Sequence, residues 1–278
     1  MVVPPPEPEL AVVVPVHDEA DNVLPLLTEI EAALAGRLRF EAVFVDDASA
    51  DATRARLLDA ARSRPWLTVL AHRHNAGQSA ALRSGVAGAR APLVATLDGD
   101  GQNDPADIPA LVTRWREVRA RTAGRPVLIA GWRARRRDTW LRRVSSRVAN
   151  GVRARLLGDA TPDTGCGLKV FSRDDFLALP WFDHMHRFLP ALVRRAGGGV
   201  ESVPVVHRPR VRGRSHYGVH NRLWVGLVDL AGVMWLQRRA RVVELEPAGG
   251  VAPVRVEGPA ASEHATTPGL AGLGMRLR

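Results

Sequence analysis

Asp98 and Asp100 stand two apart in LDGDGQNDP, directly after a short apolar run. Gly99 and Gly101 let the chain turn so that both carboxylates approach one ion. Mg2+ or Mn2+ suits such oxygen ligands and commonly holds substrate phosphates while keeping some of its waters. An ion there would neutralise charge growing on a departing diphosphate. An unliganded Asp/Gly turn fits the same spacing, and Asp104-Pro105 has the form of a helix start. A second acidic pair, Asp46-Asp47, follows an apolar run. A carboxylate at that place can accept hydrogen bonds from a base or ribose. The alternative is that one of the pair caps the helix beginning near Asp51, which leaves the other for a second task. A third polar cluster, His17-Asp18-Glu19, follows Pro15-Val16, and the stretch NAGQ, 75–78, follows a further apolar run.

The elements that must position these residues are legible as alternating apolar runs and helical patterns. Leu10 to Val16 reads as a buried strand. The helix after it places Val23, Leu26, Leu27, Ile30 and Leu34 three and four apart, with Pro25 tolerated in its first turn. Strands follow at Phe40 to Val45, Leu67 to Ala71, Leu93 to Leu97 and Val127 to Ala130. Helices are expected over Asp51 to Ala61, Gln78 to Ala89 and Ile108 to Val118. Strands apolar on both faces and separated by helices predict a mostly parallel sheet covered by helices. Ligands bind such sheets beyond the carboxyl ends of the strands, and the polar clusters fall at those ends.

The second half is less regular. Thr139 to Leu157 alternates arginines with apolar residues in a helical pattern. Leu168 to Phe171 and Val200 to Val206 read as strands, and His186 to Ala196 as a helix bent at Pro190. From Pro247 the composition turns to Gly, Ala, Pro, Glu and Thr without periodicity. The expected organisation is a flexible N-terminus over 1–9, a catalytic domain over 10–221, a membrane-surface or packing helix over 222–241 and a disordered tail over 242–278.

The 278 residues are 46% hydrophobic and 24% charged, as in globular proteins. A single cysteine, Cys166, excludes an internal disulfide and a cysteine-cluster metal site, and it reads as a small buried hydrophobe. The N-terminal stretch has no secretory-signal pattern. The net charge of +10 suits nucleic acid, an anionic membrane or a phosphorylated substrate. Only 5% of residues are aromatic and no nucleic-acid reading module is visible, so membrane and phosphate are favoured and no nucleic-acid partner is expected.

VPVHDEADN, VDDASADAT, NAGQSAAL and LDGDGQNDP, in this order, resemble the nucleotide-binding half of a family 2 glycosyltransferase of the GT-A fold. DTGCGLK, 163–169, followed by Phe171, resembles a segment of the polyprenyl-phosphate subgroup, which includes dolichol-phosphate mannose synthases and undecaprenyl-phosphate sugar transferases. RGRSHYG, 212–218, resembles that subgroup's basic loop. The resemblance runs from Leu10 to Leu236. It implies an α/β fold whose cleft binds a nucleotide diphosphate sugar. Asp47, with Asp46 beside it, would contact the nucleoside near Pro15 and Glu19. Asp98 would lie beside the sugar or diphosphate, Asp100 would be the principal metal ligand, and Gln102 would border the sugar or acceptor. Lys169, Arg212 and Ser215 would help grip phosphates, and Arg147 would meet the lipid phosphate.

The implied acceptor is a polyprenyl (dolichyl or undecaprenyl) monophosphate, with inversion at the anomeric carbon. A lipid phosphate is already anionic and needs positive charge to hold it, which the arginine-rich second half supplies. A hydroxyl acceptor on a glycan or small molecule, which needs a positioned base, is the competing expectation. Leu223 to Leu236 is too short for a membrane span and carries Asp229 at its middle. An interfacial helix fits, with Trp224 and Trp235 near headgroups and flanking arginines on anionic lipid, as does a helix packed on protein. Peripheral attachment at the cytoplasmic face of the cell membrane follows, with either a homo-oligomer or a separate membrane partner allowed.

Overall fold

The computed structural model describes residues 7–122, 124–133, 151, 155–159, 161–209 and 222–240. Seven strands form one sheet: β1 (Leu10–Val16), β2 (Phe40–Asp46), β3 (Leu67–Ala71), β4 (Leu93–Thr96), β5 (Val127–Trp132), β6 (Lys169–Ser172) and β7 (Gly199–Pro204), in the order β3-β2-β1-β4-β6-β5-β7. Every pairing is parallel except those of β6, which runs antiparallel to both β4 and β5. The helices are α1 (Ala20–Leu34), α2 (Thr53–Ala61), α3 (Gln78–Gly88), α4 (Ile108–Arg121), α5 (Arg173–Leu177), α6 (Leu189–Arg195) and α7 (Arg222–Arg238), with single 3-10 turns at Pro105–Asp107 and Met185–Arg187.

Two apolar layers enclose the sheet. Leu10, Val12, Val14 and Val16 of β1 face one way, onto Val23, Leu26, Leu27, Ile30 and Leu34 of α1 and Leu111 and Val112 of α4. Ala11 and Val13 face the other way with Val43 and Val45 of β2, onto Ala81, Leu82 and Val86 of α3 and Leu189, Leu192 and Val193 of α6. Burial on both faces is why β1 is an unbroken apolar run and not an alternating one; β2 follows the same pattern except for Glu41, whose buried carboxylate accepts from the Arg90 and Ala91 amides, and its terminal Asp46.

The direction of β6 decides where chemistry gathers. Six strands run the same way, so the ends at Val16, Asp46, Ala71, Thr96, Trp132 and Pro204 come to one rim. β6 enters the sheet there because it runs the other way, so Lys169 pairs with Thr96 on one side and with Ala130 on the other. Beyond β7 the chain stays on this rim. Asn103 and His207 form an isolated antiparallel bridge, Gln102 accepts the Arg208 amide, and Arg208 pairs with Glu29 (2.8 Å) and Asp104 (2.6 Å).

α7 lies on the described domain through one face. Val233 is fully buried in the α3/α6 layer, Arg195 donates to the Leu236 carbonyl (2.9 Å), and Gln237 donates to the Leu157 carbonyl (2.9 Å). Asp229, the acid at the middle of this helix, meets His184 at 3.1 Å. The opposite face is open, with Leu227, Val228 and Trp235 exposed. No helix of the described residues is long and apolar enough to cross a membrane. Most of Thr139 to Leu157, and all of 242–278, lie outside the described residues.

Candidate active site

The acidic rim divides into two ends joined by the first turn of α3. At the β2 end, Asp46 is buried and accepts from the Ser49 amide (3.2 Å). Asp47, also buried, spends both carboxylate oxygens within the protein. One accepts from the Ala76 amide (2.8 Å) and meets His72 Nδ1 (2.7 Å); the other accepts from the Gly77 amide (2.8 Å). Gly77 holds φ near +86°, a left-handed value that suits glycine at the mouth of α3. Asp47 therefore shapes the loop 75–78 at the mouth of α3. His17 Nδ1 meets the Asp47 carbonyl (2.9 Å), and Asp18 accepts from the Ala50 amide (2.7 Å), so the ends of β1 and β2 are tied together. Glu19 caps this junction at the start of α1, where Asn22 donates to its carboxylate (2.5 Å). Pro15 sits at the end of β1, its carbonyl beside Gly99.

At the β4 end, Asp98 accepts from the Gln78 side-chain amide (2.9 Å). Its carboxylate packs against Gly167, where a Cβ would collide with it. Burial, and then the neighbouring Asp100 carboxylate, push the Asp98 carboxyl up to about 6, while Lys169, Arg133 and the Gln78 amide pull it down. Asp100 accepts from the Gln102 amide (3.1 Å), and the Gln102 side chain donates to the Arg208 carbonyl (3.3 Å). Asp98 and Asp100 stand two residues apart at a sheltered strand end, and carboxylate oxygens of this kind suit a hard divalent cation. The residues fit Mg2+ or Mn2+ bound through one or two carboxylates with substrate phosphates and water completing the shell. No group of three or more His, Cys, Asp and Glu side chains that could hold a metal occurs among the described residues.

Behind Asp98 lies a buried cationic layer. The Arg133 guanidinium, at the end of β5, grips Asp163 with two bonds, Nε to Oδ2 (2.6 Å) and Nη2 to Oδ1 (2.8 Å). Burial works against the guanidinium's charge, but the Asp163 carboxylate outweighs it and holds Arg133 above its ordinary value. Lys169 is 4% exposed and donates to the Cys166 carbonyl; burial pushes its ammonium below the ordinary lysine value. Thr96 donates to the Gly167 carbonyl (2.6 Å), so the segment 163–169 is fixed to β4 and β5 as a floor under Asp98. Cys166 is fully buried, and burial pushes its thiol up. Next to this layer His186 Nδ1 lies 2.7 Å from Ser79 Oγ, and burial, with the charge of Lys169, pushes the imidazole down to about 3.

Of the sequence-derived site residues, Pro15, Glu19, Asp46, Asp47, Asp98, Asp100, Gln102 and Lys169 come to one rim. Arg147, Arg212 and Ser215 lie outside the described residues. Sequence reasoning assigned no role to Gln78, Arg133, Asp163 or His186. Gln78 carried a faint signal as the last residue of NAGQ, and Arg133 was one arginine among many.

The family model described as Glycosyl transferase family 2 matches residues 11–179. Dodecaprenyl-phosphate galacturonate synthase of Rhizobium johnstonii is 36% identical over 235 residues, covering 83% of this chain and 68% of the relative. Undecaprenyl-phosphate 4-deoxy-4-formamido-L-arabinose transferase of Edwardsiella ictaluri is 34% identical over 213 residues, covering 76% of this chain and 63% of the relative. The chain thus spans only part of the length of these curated relatives. Among solved structures, glucosyl-3-phosphoglycerate synthase from Mycobacterium tuberculosis in complex with UDP aligns with a TM-score of 0.57 at 18% identity, over 83% of this chain and 80% of that one. A mannosyltransferase from Pyrobaculum calidifontis in complex with GDP-Man and Mn2+ aligns with a TM-score of 0.54 at 22% identity, over 77% and 60%. These two likenesses show the fold, which is GT-A.

Proposed function

We propose, since the chain belongs to glycosyl transferase family 2, that it moves a sugar from a nucleoside diphosphate sugar to a polyprenyl monophosphate at a lipid surface. The observation that carries this reading is the pairing of an acidic rim with a basic layer at one sheet edge, in a chain whose relatives bear the names of polyprenyl-phosphate sugar transferases. The loop 75–78, shaped by Asp47, would receive the nucleoside. Asp98 and Asp100 would hold a divalent ion, which when bound offsets negative charge on the leaving diphosphate. Gln78 orients Asp98 from one side and the 163–169 floor supports it from below. Arg133 and Lys169 place positive charge close to where two phosphorylated substrates would otherwise repel one another. Arg212 and Ser215, in the basic segment after β7, would grip phosphate, and Arg147 would meet the lipid.

In the reaction a phosphate oxygen of the lipid attacks the anomeric carbon, the bond from that carbon to the diphosphate breaks, and the nucleoside diphosphate departs with the electron pair. The acceptor is anionic near neutral pH, so no residue need act as general base. Attack from the face opposite the leaving group inverts the anomeric centre. The exposed stripe of α7, with Val228 71% and Trp235 59% exposed, and Arg238 and Arg239 at its end, would seat on anionic lipid. Attachment would then be peripheral, and on the cytoplasmic face, where nucleotide sugars are made.

The test is a panel of UDP- and GDP-sugars offered with undecaprenyl phosphate in vesicles and Mg2+ or Mn2+, read by product mass. One sugar added to the lipid phosphate is expected, lost in chelator and in Asp100→Ala. Transfer to a hydroxyl acceptor without lipid phosphate, or full transfer in chelator, overturns the reading.

A further inference from the structure

The first turn of α3 is held from three directions. Asp47 takes the amides of Ala76 and Gly77. Asp98 takes the side-chain amide of Gln78. The third hold comes from the second half of the chain, where Ser79 Oγ lies 2.7 Å from His186 Nδ1 and also accepts the His186 backbone amide (3.3 Å). Ser79 is buried, so no water substitutes for this partner from the surface. The nucleoside end, the carboxylate end and the second half of the chain thus meet within four residues.

His186 belongs to the single 3-10 turn Met185–Arg187, whose entry residue, His184, adopts left-handed backbone with φ near 63°. His184 Nδ1 meets Asp229 of α7 at 3.1 Å, and its Nε2 lies 3.5 Å from Asp183. A Cβ on Gly77 would sit 3.7 Å from the Asp183 carboxylate, so this turn rests against the mouth of α3 as well. Met185, between the two histidines, is fully buried in the α3/α6 layer. A one-turn element anchored by a buried side chain cannot shift His184 without moving His186. Asp229 is the acid in the middle of an otherwise apolar helix, and it points to the protein and not to the open stripe of Leu227, Val228 and Trp235.

We propose that the Asp229–His184 and His186–Ser79 contacts are a positioning device that carries the seating of α7 to Gln78, and through Gln78 to Asp98. The inference rests on the lipid-facing reading of α7 given above. Its consequence is that docking on lipid tightens the carboxylate end of the site: the four side chains act on the reaction only through Gln78. Coupling of this kind requires one state of the α3 turn to be favoured when α7 is seated.

Hydrogen–deuterium exchange over residues 78–84 tests it, with the whole chain in buffer and on vesicles of phosphatidylethanolamine and phosphatidylglycerol. Vesicles slow exchange in the wild type about fivefold or more. Asp229→Ala floats with vesicles as well as the wild type but shows no slowing. His186→Ala behaves likewise, and His186→Asn, which restores a polar atom near the Nδ1 position, recovers the protection. Mn2+ alone, titrated by calorimetry, binds the wild type more tightly on vesicles and binds Asp229→Ala equally with and without them. Equal protection in Asp229→Ala and wild type, or no slowing in a wild type that does float, overturns the positioning device. A wild type that does not float overturns the lipid-facing reading of α7 and the device with it, and flotation tells the two failures apart.

Discussion

At the scale of single residues the site is governed by charge held out of water. Asp98 has its carboxyl raised to about 6, so without metal the folded protein binds a proton there more readily than the unfolded chain. The stabilising contribution is present in full below the ordinary carboxylate value near 3.8 and is lost as pH rises through about 6. Asp98→Asn removes that dependence. In chelator it is expected to be more stable than the wild type at pH 8, by on the order of 1–2 kcal/mol, the carboxylate's open side discounting the full shift. Urea unfolding at pH 5 and pH 8 measures this, and transfer by the same variant is expected to fall about 100-fold or more. The Arg133–Asp163 pair is predicted to behave differently. Asp163→Ala strands a buried guanidinium and should cost about 3–5 kcal/mol, whereas replacing both partners with leucine should cost less than the sum of the single changes. A double-mutant cycle by urea unfolding checks it.

At the scale of elements, two short segments decide where the reactive groups stand. The 163–169 floor touches Asp98 through Gly167, where no side chain fits. Gly167→Ala should displace the carboxylate and lower kcat about 100-fold while leaving donor KM within about twofold. The loop 75–78 depends on both oxygens of Asp47. Asp47→Asn keeps one acceptor and should raise donor KM about tenfold with little change in kcat, a split that steady-state kinetics resolves. The strand expectations over Leu10 to Val16 and Leu67 to Ala71 coincide with β1, an unbroken apolar run inside the sheet, and with β3, the edge strand, where Thr68 and Ala71 are exposed. The helix expected over His186 to Ala196 divides instead into a 3-10 turn and α6, with Phe188 between them and Pro190 in the first turn of α6. Proline is at ease there and would not be in a helix interior. The short helix α5 had no readable signal, being too brief for periodicity.

At the scale of the whole molecule the question is which face meets lipid. The open stripe of α7 and its terminal arginines predict that Val228→Glu with Trp235→Glu abolishes flotation with anionic vesicles, and that the wild type's binding weakens as salt rises. Donor binding by the double variant, measured by calorimetry, should stay within a few-fold of wild type in buffer.

The sequence by itself determined the class of the sheet, the acids at its strand ends and the family, because these depend on local apolar patterning and short motifs. Tertiary structure alone decided that β6 runs against its neighbours and brings Lys169 to the acidic rim. It also decided that Asp229 turns to His184, that Gln78 and Gly167 close on Asp98, and that Arg133 finds Asp163 across thirty residues of chain. Each of these is a contact between segments distant in sequence. Such contacts are fixed by how the two apolar layers close around the sheet, and no residue pattern read along the chain contains that closure.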